Sequence, residues 1–520
     1  MVLLSAVSLT MLLASPNPQP ISNLQAEPEV SLPGIISTSN DNGGMRTRAD
    51  TDLPSVRYGS HIEVNQPGMT LAPLDARSLT LEPNQIGVNR PVEVSPNTRA
   101  QTFVNPDGSQ LIVLIIKSSG ASGIGVHFRN FALADGEEVY VYGAGADSIV
   151  FGPFTEKGPW GSGEFWSGTV DGDRVVIEFY KEPDENGQGF EIVEVSHILT
   201  ELDWRLRSKQ PDVLNCEVDA SCYGDPEKNA VARILFNNNG LHVCTGTLLN
   251  DFAQDGTPYF LTANHCVNSQ AVAQTVETYW FYQTTSCNSG VLRSWVHSPP
   301  GANLLATQAS NDFSLLRLQN NAPGGVFFSG WTSAAQPAGT GVFGLHHPDG
   351  YFPPTIFSYL RRSTGSITNT NDSCLDLVNG YGIGWTSGTA EPGSSGSGLW
   401  NSNGYLVGVL SCGPNPATCN SPGAEYSKFA NFYSQIRQYI NSGTLSAPVA
   451  NPATFVASHS FRANWRSVSG ATGYRLDVAT NRLFTNYVTG YRNLDVGNAF
   501  SRSITGLNPS TSYLLSGART

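Results

Sequence analysis

The sequence predicts a mainly β protein built from several domains. Of its 520 residues only 14% are charged, whereas glycine (53) and proline (32) are abundant. Short runs of valine, isoleucine, tyrosine and phenylalanine alternate with turn sequences, which is the pattern of β-strands joined by tight connections. A chain of this length is sufficient for three or four domains with sizeable cores.

Residues 1–14 form a short apolar segment, followed by Ser15-Pro16-Asn17-Pro18. The segment is too short to span a bilayer and is typical of the hydrophobic region of a signal peptide. The usual basic residues before such a region are missing, which leaves open a start farther upstream. No other segment is long and apolar enough to predict a membrane span. Residues 15–100 are rich in proline, asparagine and serine, and we expect them to be poorly ordered.

Three apolar runs predict β-strands in the region from about 100 to 207. The runs are residues 110–116, 138–142 and 174–180, and each is rich in β-branched and aromatic side chains. Turn sequences such as Pro106-Asp107-Gly108 and Asn186-Gly187 bound these runs. This region has no cysteine and no cluster of catalytic side chains, so we expect a β-rich domain that holds no active site.

All eight cysteines lie between Cys216 and Cys419. An even number confined to one region of an exported chain predicts up to four disulfides there. The alternative is a metal site, but the chain has no Cys-x-x-Cys pair and no His-Glu-x-x-His sequence, and the adjacent His346 and His347 are poorly placed to share a metal. We therefore expect no metal and no other cofactor.

The formal net charge of -13 argues against two classes of partner, nucleic acids and anionic membranes. A strongly acidic chain offers no basic surface for nucleic acid, and it has no basic patch that would bind anionic membranes. The charge does not identify a substrate.

Three motifs in the cysteine-rich region place a histidine, an aspartate and a serine in that chain order. His265 ends Thr262-Ala263-Asn264-His265, Asp312 precedes an apolar run at 313–318, and Ser395 lies in Gly393-Ser394-Ser395-Gly396-Ser397-Gly398. Taken singly, the serine stretch could be a loop, the histidine half-buried and the aspartate a strand cap. Together they match the chymotrypsin-type order, which differs from the orders of subtilisin and the α/β-hydrolases.

The chemistry of acyl transfer explains these residue types. A serine hydroxyl is a poor nucleophile at neutral pH and needs an adjacent base. We expect His265 to take the proton from Ser395 and later give it to the leaving amine, while Asp312 holds the imidazole in the correct tautomer. The glycines let the backbone turn so that the amides of Gly393 and Ser395 form an oxyanion hole.

Residues from about 212 to 443 resemble the catalytic domain of bacterial lysyl endopeptidases, a branch of the chymotrypsin-like serine proteases. The resemblance rests on Cys216-Glu217-Val218-Asp219, Cys244-Thr245-Gly246-Thr247-Leu248-Leu249-Asn250, Tyr259-Phe260-Leu261-Thr262-Ala263-Asn264-His265-Cys266, Asn311-Asp312-Phe313, Leu345-His346-His347-Pro348 and Glu391-Pro392-Gly393-Ser394-Ser395-Gly396-Ser397. It implies two six-stranded antiparallel β-barrels with the active site between them, and it assigns the triad to His265, Asp312 and Ser395. The region from 100 to 207 is similar to the propeptide of such precursors, which implies a propeptide over residues 15–211.

The resemblance also implies disulfide pairings. Cys244 would join Cys266 and tie the histidine loop to the preceding strand. The other implied pairs are Cys216–Cys419, which would anchor the mature N-terminus, Cys222–Cys287, and the remaining pair Cys374–Cys412, which would brace the substrate pocket.

Two departures from the family pattern affect activation and specificity. Ser394 stands where trypsin-like zymogens have an aspartate that pairs with the new N-terminal amine, and a serine cannot form that ion pair. We therefore expect activation to depend on removal of the propeptide instead. The resemblance places Thr389, Ser411, Gly413 and Ala424 around the substrate pocket.

The pocket positions carry no basic-selecting carboxylate. The lysine-selecting aspartate of the family aligns with Ala424, and the basic-selecting aspartate of trypsin aligns with Thr389. Glu425 is nearby, but the alternation of side chains along a strand predicts that it points away from the pocket. We therefore expect an enzyme that is not strictly specific for lysine.

The end of the chain predicts a helix and a further β domain. The apolar spacing of residues 431–440 predicts a terminal amphipathic helix, and residues 444–452 read as a linker. From residue 453 to 520 the chain resembles a fibronectin type III domain through Ala463-Asn464-Trp465, Tyr474-Arg475-Leu476-Asp477-Val478 and a corner tyrosine, Tyr513. Because the chain stops soon after that tyrosine, we expect this sandwich to be incomplete.

The leading hypothesis is a secreted serine endopeptidase that is made as a proenzyme and acts through an acyl-enzyme. We expect polypeptide substrates, an interaction with its own propeptide, and a monomer. The alternative is a catalytically idle secreted binding or adhesion protein that uses the protease scaffold and the fibronectin-like tail. An idle scaffold would be expected to lose at least one triad member, and none is lost here.

Overall fold

The computed structural model is mainly β. It describes residues 30–37, 45–65, 68–75, 78–82, 84–183, 189–199, 216–348, 359–368, 377, 379–413, 419, 424–441, 450–465, 474–480, 486–497, 499–511 and 513–519. Residue contacts divide the chain into two compact units. The larger comprises Val30–Asn250 and Gly256–Ile436, and the other includes Asp251–Asp255 and Arg437–Thr520.

Up to residue 199, the larger unit contains fourteen strands, one short α-helix and a 3-10 helix at Arg48–Asp50 among its described residues. The strands and the α-helix are β1 (Ser31–Leu32), β2 (Ile35–Ile36), α1 (Pro54–Arg57), β3 (Met69–Leu71), β4 (Gln85–Val94), β5 (Gln101–Val104), β6 (Gln110–Ser118), β7 (Gly123–Ile124), β8 (Val126–Ala132), β9 (Glu138–Gly143), β10 (Val150–Phe154), β11 (Phe165–Trp166), β12 (Val170–Asp171), β13 (Arg174–Lys181) and β14 (Gly189–Ile198). The strands predicted at 110–116, 138–142 and 174–180 are confirmed as β6, β9 and β13.

Strand β6 shows how this region is packed. It lies inside a six-stranded sheet with the order β10-β9-β13-β6-β3, and β5 also pairs with it. Alternate side chains of a strand point to opposite faces, so every second side chain from Leu111 joins one apolar cluster and every second side chain from Ile112 joins another. An uninterrupted apolar run is what a strand buried on both faces requires.

Residues 216–440 contain the cysteine-rich region. Its elements are β15 (Val218–Asp219), β16 (Val231–Asn237), β17 (Leu241–Leu249), β18 (Tyr259–Thr262), α2 (Gln270–Ala273), β19 (Glu277–Trp280), β20 (Val296–Ser298), β21 (Ala302–Gln308), β22 (Phe313–Leu318), β23 (Phe327–Phe328), β24 (Trp331–Thr332), β25 (Gly341–His346), β26 (Arg361–Thr368), β27 (Tyr381–Ser387), β28 (Gly398–Asn401), β29 (Leu406–Cys412), β30 (Ala424–Lys428) and α3 (Phe429–Ile440). The strand predicted at 313–318 is confirmed as β22.

Two mainly antiparallel sheets organise the cysteine-rich region. The first contains β16–β22 and continues into strands β4, β7, β8, β11, β12 and β14 of the preceding region. The second contains β15 and β24–β30, and β1 pairs with β24 at its edge. The predicted boundary near residue 211 is therefore not a boundary between sheets, because β4 pairs directly with β17.

The expectation that residues 15–100 are poorly ordered is wrong for part of that range. Strand β4 is ten residues long and lies between β14 and β17, with Val88 opposite His197 and Gly87 opposite Leu241. The prediction used the average composition of residues 15–100 and so missed the alternating apolar positions of β4, where Ile86, Val92 and Val94 are buried.

Helix α3 confirms the amphipathic helix predicted near residue 440. Its fully buried or nearly buried side chains recur at helical spacing, at Phe429, Phe432, Tyr433, Ile436 and Ile440. The ring of Phe432 stacks on that of Phe313, with centroids 4.2 Å apart. This contact packs the helix against the start of β22, next to Asp312.

The tail folds as two small sheets. Its strands are β31 (Ala450–Ala457), β32 (Ser460–Trp465), β33 (Tyr474–Ala479), β34 (Leu494–Gly497), β35 (Ser501–Thr505) and β36 (Leu514–Arg519), with the orders β31-β32-β35 and β34-β33-β36. Trp465 and Tyr474, one from each sheet, are buried in a shared cluster with ring centroids 6.0 Å apart. The hydroxyl of Tyr513 accepts a hydrogen bond from the amide of Asn508 (2.7 Å).

Within the described ranges, no helix has the length and apolar character needed to cross a membrane.

Candidate active site

The loop between β27 and β28 carries the predicted nucleophile, Ser395. The amide of Thr245 donates to the carbonyl of Ser395 (2.9 Å), and the hydroxyl of Thr245 donates to the carbonyl of Gly393 (2.9 Å). Gly393 and Gly396 have φ values of 91° and 82°, which glycine adopts without strain. Thr245 of β17 therefore holds two carbonyls of the turn. Gly393 and Gly396 allow the backbone to adopt the turn conformation.

His265 and Asp312 are brought together by the pairing of two neighbouring strands. The end of β18 lies opposite the beginning of β22, with Thr262 opposite Ser314. Asp312 accepts two hydrogen bonds from His265, at Oδ1 from the backbone amide (2.9 Å) and at Oδ2 from Nδ1 (2.7 Å). Because a carboxylate only accepts, Nδ1 carries the proton and Nε2 of the neutral ring is left as the base.

Asp312 lies at the end of a short turn in a left-handed conformation, with φ 38° and ψ 52°. Aspartate tolerates this conformation better than most residues. The hydroxyl of Ser411 also donates to Oδ2 of Asp312 (2.5 Å). Burial alone would raise the pKa of Asp312, but the hydrogen bonds from His265 and Ser411 and the attraction of the histidine outweigh it and hold the pKa below its ordinary value of 3.8.

The serine turn packs against the histidine loop. A Cβ atom on Gly396 would overlap the hydroxyl of Thr262 and the carbonyl of Thr245, and it would lie 2.9 Å from the amide of Ala263. The amide of Gly396 donates to the carbonyl of Leu410 (2.9 Å), the residue before Ser411. The turn that carries Ser395 thus packs against the loop that carries His265, although no hydrogen bond joins the Ser395 hydroxyl to a residue in the described ranges.

The amides of Gly393 and Ser395, which the sequence predicts to form an oxyanion hole, belong to residues whose own carbonyls are already hydrogen-bonded. Within the described part of the chain, the amides of Gly393 and Ser395 donate to no other residue. Since the carbonyls of both residues are held by Thr245, the turn is fixed while its amides remain available to an incoming oxygen atom.

The structure describes the surroundings of three of the predicted pocket residues, Thr389, Gly413 and Ala424. Thr389 and Ala424 are completely buried. A Cβ atom on Gly413 would lie 2.9 Å from the carbonyl of Ala390, so the segment after β29 touches the segment before the nucleophile. Ala424 and Tyr426 belong to one apolar cluster, and Glu425 between them is also buried, so the orientation of Glu425 away from the pocket stays a prediction.

Three of the implied cysteine pairs lie at bonding distance. Their Cα atoms are 5.7 Å apart for Cys216–Cys419, 4.3 Å for Cys222–Cys287 and 6.5 Å for Cys244–Cys266. Cys374 lies outside the described residues, so the pair Cys374–Cys412 stays a prediction. Cys244, His265 and Cys266 place possible ligand atoms within 4.8 Å of one another, but the disulfide uses both sulfur atoms, which makes this cluster a poor metal site.

Comparison with known proteins identifies the family. Residues 212–434 match the family model described as "Lysyl endopeptidase, C-terminal domain". The chain is 30% identical over 371 residues to the lysyl endopeptidase of Pseudomonas aeruginosa, an alignment that covers 66% of this chain and 78% of the relative. The chain belongs to the lysyl endopeptidase family.

More distant similarities extend beyond that family. A secreted RxLR effector protein, number 73, of Plasmopara viticola is 25% identical over 351 residues, covering 62% of this chain and 84% of the relative. Among solved structures, human heparin binding protein is 16% identical and aligns over 45% of this chain and 99% of its own, with a TM-score of 0.33.

Two residues in this member of the lysyl endopeptidase family have contacts that the sequence did not predict. Thr245 lies in a family motif but gave no sign that it would hold the carbonyls of the serine turn, about 150 residues later in the chain. Ser411 was assigned to the pocket, yet its hydroxyl contacts Asp312. Only long-range strand pairing brings these groups together, so no local signal could have found them.

We expect Ser411→Ala to lower stability in a pH-dependent way. Its hydrogen bond stabilises the Asp312 carboxylate and depresses its pKa, so this contribution is present near neutral pH and is lost as the pH falls through the folded pKa, below 3.8. The variant should lose about 1.5–3 kcal/mol of unfolding free energy at pH 7 and less at pH 3. Urea unfolding in a Ser395→Ala background measures this, and Ser411→Thr is the matched control. An equal loss at both pH values would contradict the assignment.

Proposed function

We propose that this chain is a secreted serine endopeptidase that hydrolyses peptide bonds through His265, Asp312 and Ser395. The observation that carries the proposal is the hydrogen-bonded pair of Asp312 and His265 beside the turn that bears Ser395. Membership of the lysyl endopeptidase family supports the same activity. The residues serve distinct roles, as a nucleophile, its base and the group that orients the base.

In the proposed reaction, Ser395 attacks the scissile carbonyl while Nε2 of His265 accepts its proton. The amides of Gly393 and Ser395 stabilise the negative charge on the tetrahedral intermediate, and Asp312 stabilises the imidazolium that forms. His265 then protonates the leaving amine, which gives an acyl-enzyme on Ser395. Water activated by the same histidine hydrolyses the acyl-enzyme.

Labelling with a fluorophosphonate tests this function directly. The reagent requires an activated serine, so the mature protein should be labelled at Ser395 and Ser395→Ala should not be labelled. Mass spectrometry of the labelled peptide locates the modification. An unlabelled, folded protein would favour the alternative of an idle binding protein.

We also propose a proenzyme in which residues 1–14 are a signal peptide and residues 15–211 a propeptide. The proposed catalytic domain, 212–443, would then be a chymotrypsin-like double barrel. Contacts between the two regions support an extensive association: β4 pairs with β17, and the amide and hydroxyl of Thr169 donate to the buried carboxylate of Glu277 (3.0 and 2.8 Å). The His297 ring lies 2.6 Å from the same carboxylate.

The proposed maturation cut lies between about residues 208 and 215. Cys216 is bonded to Cys419, so a cut before it leaves the disulfide within the mature enzyme. The stretch from Arg205 to Gln210 is polar, which favours protease access. N-terminal sequencing of the active form should give a first residue in this window. A start after Cys216, or an active uncut chain that keeps residues 100–207, would refute it.

We expect no strict preference for lysine at P1. A P1 ammonium buried in a pocket without a carboxylate loses its hydration and gains no partner, which costs several kcal/mol. Ala424 and Thr389 supply small neutral groups instead. Kinetics on matched peptides with P1 lysine, arginine, alanine, leucine and phenylalanine measure the preference. A lysine preference above roughly a hundredfold, about 2.7 kcal/mol, would overturn this expectation, and its loss in Glu425→Gln would assign it to the carboxyl next to Ala424.

For the tail, we propose a fibronectin type III-like module over residues 453–520 after a linker at 444–452. The pairing orders β31-β32-β35 and β34-β33-β36 support a two-sheet sandwich. The hydrogen bond between the Tyr513 hydroxyl and the amide of Asn508 has the form of a tyrosine corner, which is a feature of such sandwiches.

A further inference from the structure

A buried histidine lies directly behind the nucleophile turn. His346, the last residue of β25, is only 1% exposed. Its Nδ1 is 2.8 Å from the hydroxyl of Ser394, the residue before the nucleophile, and its Nε2 is 3.0 Å from the hydroxyl of Ser363 in β26. The ring therefore links the turn to the sheet beneath it.

The neighbouring hydrogen bonds define the direction of each proton. Ser363 donates its hydroxyl proton to the carbonyl of Thr389 (2.8 Å), so its oxygen must accept from Nε2 of His346. Nδ1 of the neutral ring is then an acceptor, and the hydroxyl of Ser394 donates to it. The oxygen of Ser394 also accepts from the amide of Glu391 (3.1 Å), which closes the turn on itself.

The charged groups around the ring favour this neutral arrangement. Burial, reinforced by the nearby Arg361, lowers the pKa of His346 to about 3. Glu217, whose Oε2 lies 3.7 Å from Nε2, is itself fully buried, and burial raises its pKa well above the ordinary value, with a further increase from Glu391. Burial therefore disfavours the charged form of each of these two side chains.

We propose that His346 is a positioning residue for catalysis: its neutral ring holds the hydroxyl of Ser394 and so fixes the turn that carries Ser395 and the oxyanion-hole amides. The inference rests on the proposed function, because it concerns the same active site. In trypsin-like enzymes, an ion pair between an aspartate and the new N-terminal amine orders the oxyanion hole. Here the uncharged hydrogen bond between His346 and Ser394 takes that role.

In this arrangement, the conformation of the turn does not depend on the N-terminal amine of the mature enzyme. The bond between His346 and Ser394 is present in the uncut chain, so it does not wait for a new amine. Acetylating the N-terminal amine of the mature enzyme should therefore leave kcat per active site within about twofold. A loss above tenfold would overturn the proposal.

Substitutions at the two positions test the positioning role. His346→Leu removes the acceptor, Ser394→Ala removes the donor, and His346→Asn keeps a side-chain acceptor close to the place of Nδ1. Ser329→Ala is the matched control, because Ser329 is also a completely buried serine, which accepts from Trp400 (2.8 Å) and donates to Gly330 (3.1 Å) away from the turn.

The measurement is kcat per titrated active site, together with KM and with the affinity for a peptide aldehyde that mimics the tetrahedral intermediate. We expect His346→Leu and Ser394→Ala to lower kcat about 10- to 100-fold, with KM changed less than threefold and aldehyde affinity reduced in parallel with kcat. His346→Asn should recover most of the loss. Ser329→Ala should lower thermal stability without changing kcat per site.

Each outcome separates this inference from the proposed function. If wild type hydrolyses peptides but His346→Leu and Ser394→Ala keep wild-type kcat per titrated site, the positioning role is wrong and the triad stands. If the wild type is not labelled by fluorophosphonate at all, the proposed function fails first. If His346→Leu does not fold, Ser394→Ala alone decides, because it removes a single oxygen atom.

Discussion

Replacing Ser395 or His265 with alanine should abolish peptide hydrolysis while leaving the fold intact. In the proposed mechanism both residues act in the same proton transfer, so either single variant should lose roughly 10⁶-fold in kcat, and the double variant should be little worse than either. The expected structural cost of Ser395→Ala is small, because no hydrogen bond joins the Ser395 hydroxyl to a residue in the described part of the chain. His265→Ala should keep the fold but lose stability, because it removes the ring that donates to the buried Asp312 carboxylate. Steady-state kinetics on a peptide substrate measure the loss.

The interpretation of that experiment requires that each variant is pure and folded. Near-normal activity in purified Ser395→Ala would rule out the assigned nucleophile. Circular dichroism of both variants should match the wild type, which separates a chemical loss from unfolding. Thermal melting should match it for Ser395→Ala and be lower for His265→Ala, which loses the hydrogen bond to Asp312. A double variant much less active than either single one would show that the two residues do not act as one unit.

Replacing Gly396 with alanine should remove both activity and stability. The glycine has a φ of 82°, and a Cβ atom there would overlap the hydroxyl of Thr262 and the carbonyl of Thr245. A backbone carbonyl fixed within a sheet cannot move aside cheaply, so we expect a loss of about 3 kcal/mol or more in unfolding free energy. Because the residue follows the nucleophile directly, any shift that relieves the overlap also displaces Ser395.

Gly339 provides the matched control for that substitution. Its φ of 86° is almost the same, but a Cβ atom there would meet no atom within 4 Å. Gly339→Ala therefore measures the cost of the backbone conformation alone, about 1 kcal/mol, and should leave activity unchanged. Equal destabilisation of the two variants in urea unfolding would show that the overlap at Gly396 is relieved without cost.

The association between the two large regions was not predictable from composition. Residues 85–94 include a glycine and a proline, which argue against a long strand, although the alternate positions Ile86, Val88, Val92 and Val94 are apolar. In the structure they form β4, which connects β14 to β17. Strand β4 forms because the edges of β14 and β17 have unpaired backbone groups for it to bind. Those edges exist only once the rest of the sheet has folded.

The position of His346 is a second example. The motif Leu345-His346-His347-Pro348 contributed to the family resemblance, but nothing in it indicated a contact with Ser394. The sequence showed that Ser394 departs from the trypsin-like pattern. It did not show that His346 is the hydrogen-bond partner of Ser394. The two residues are 48 positions apart and meet only because β25 pairs with β28, which follows the nucleophile turn.

The sequence by itself determined the features that depend on local spacing and residue type. Continuous apolar runs predicted β6, β13 and β22, helical spacing predicted α3, and the family motifs marked His265, Asp312 and Ser395 for inspection. Tertiary structure alone decided which partners these side chains have: Ser411 for Asp312, Thr245 for the serine turn, and His346 for Ser394. The physical reason is that strand pairing joins residues distant in sequence, so hydrogen-bond partners across a sheet depend on register, which a linear pattern does not contain.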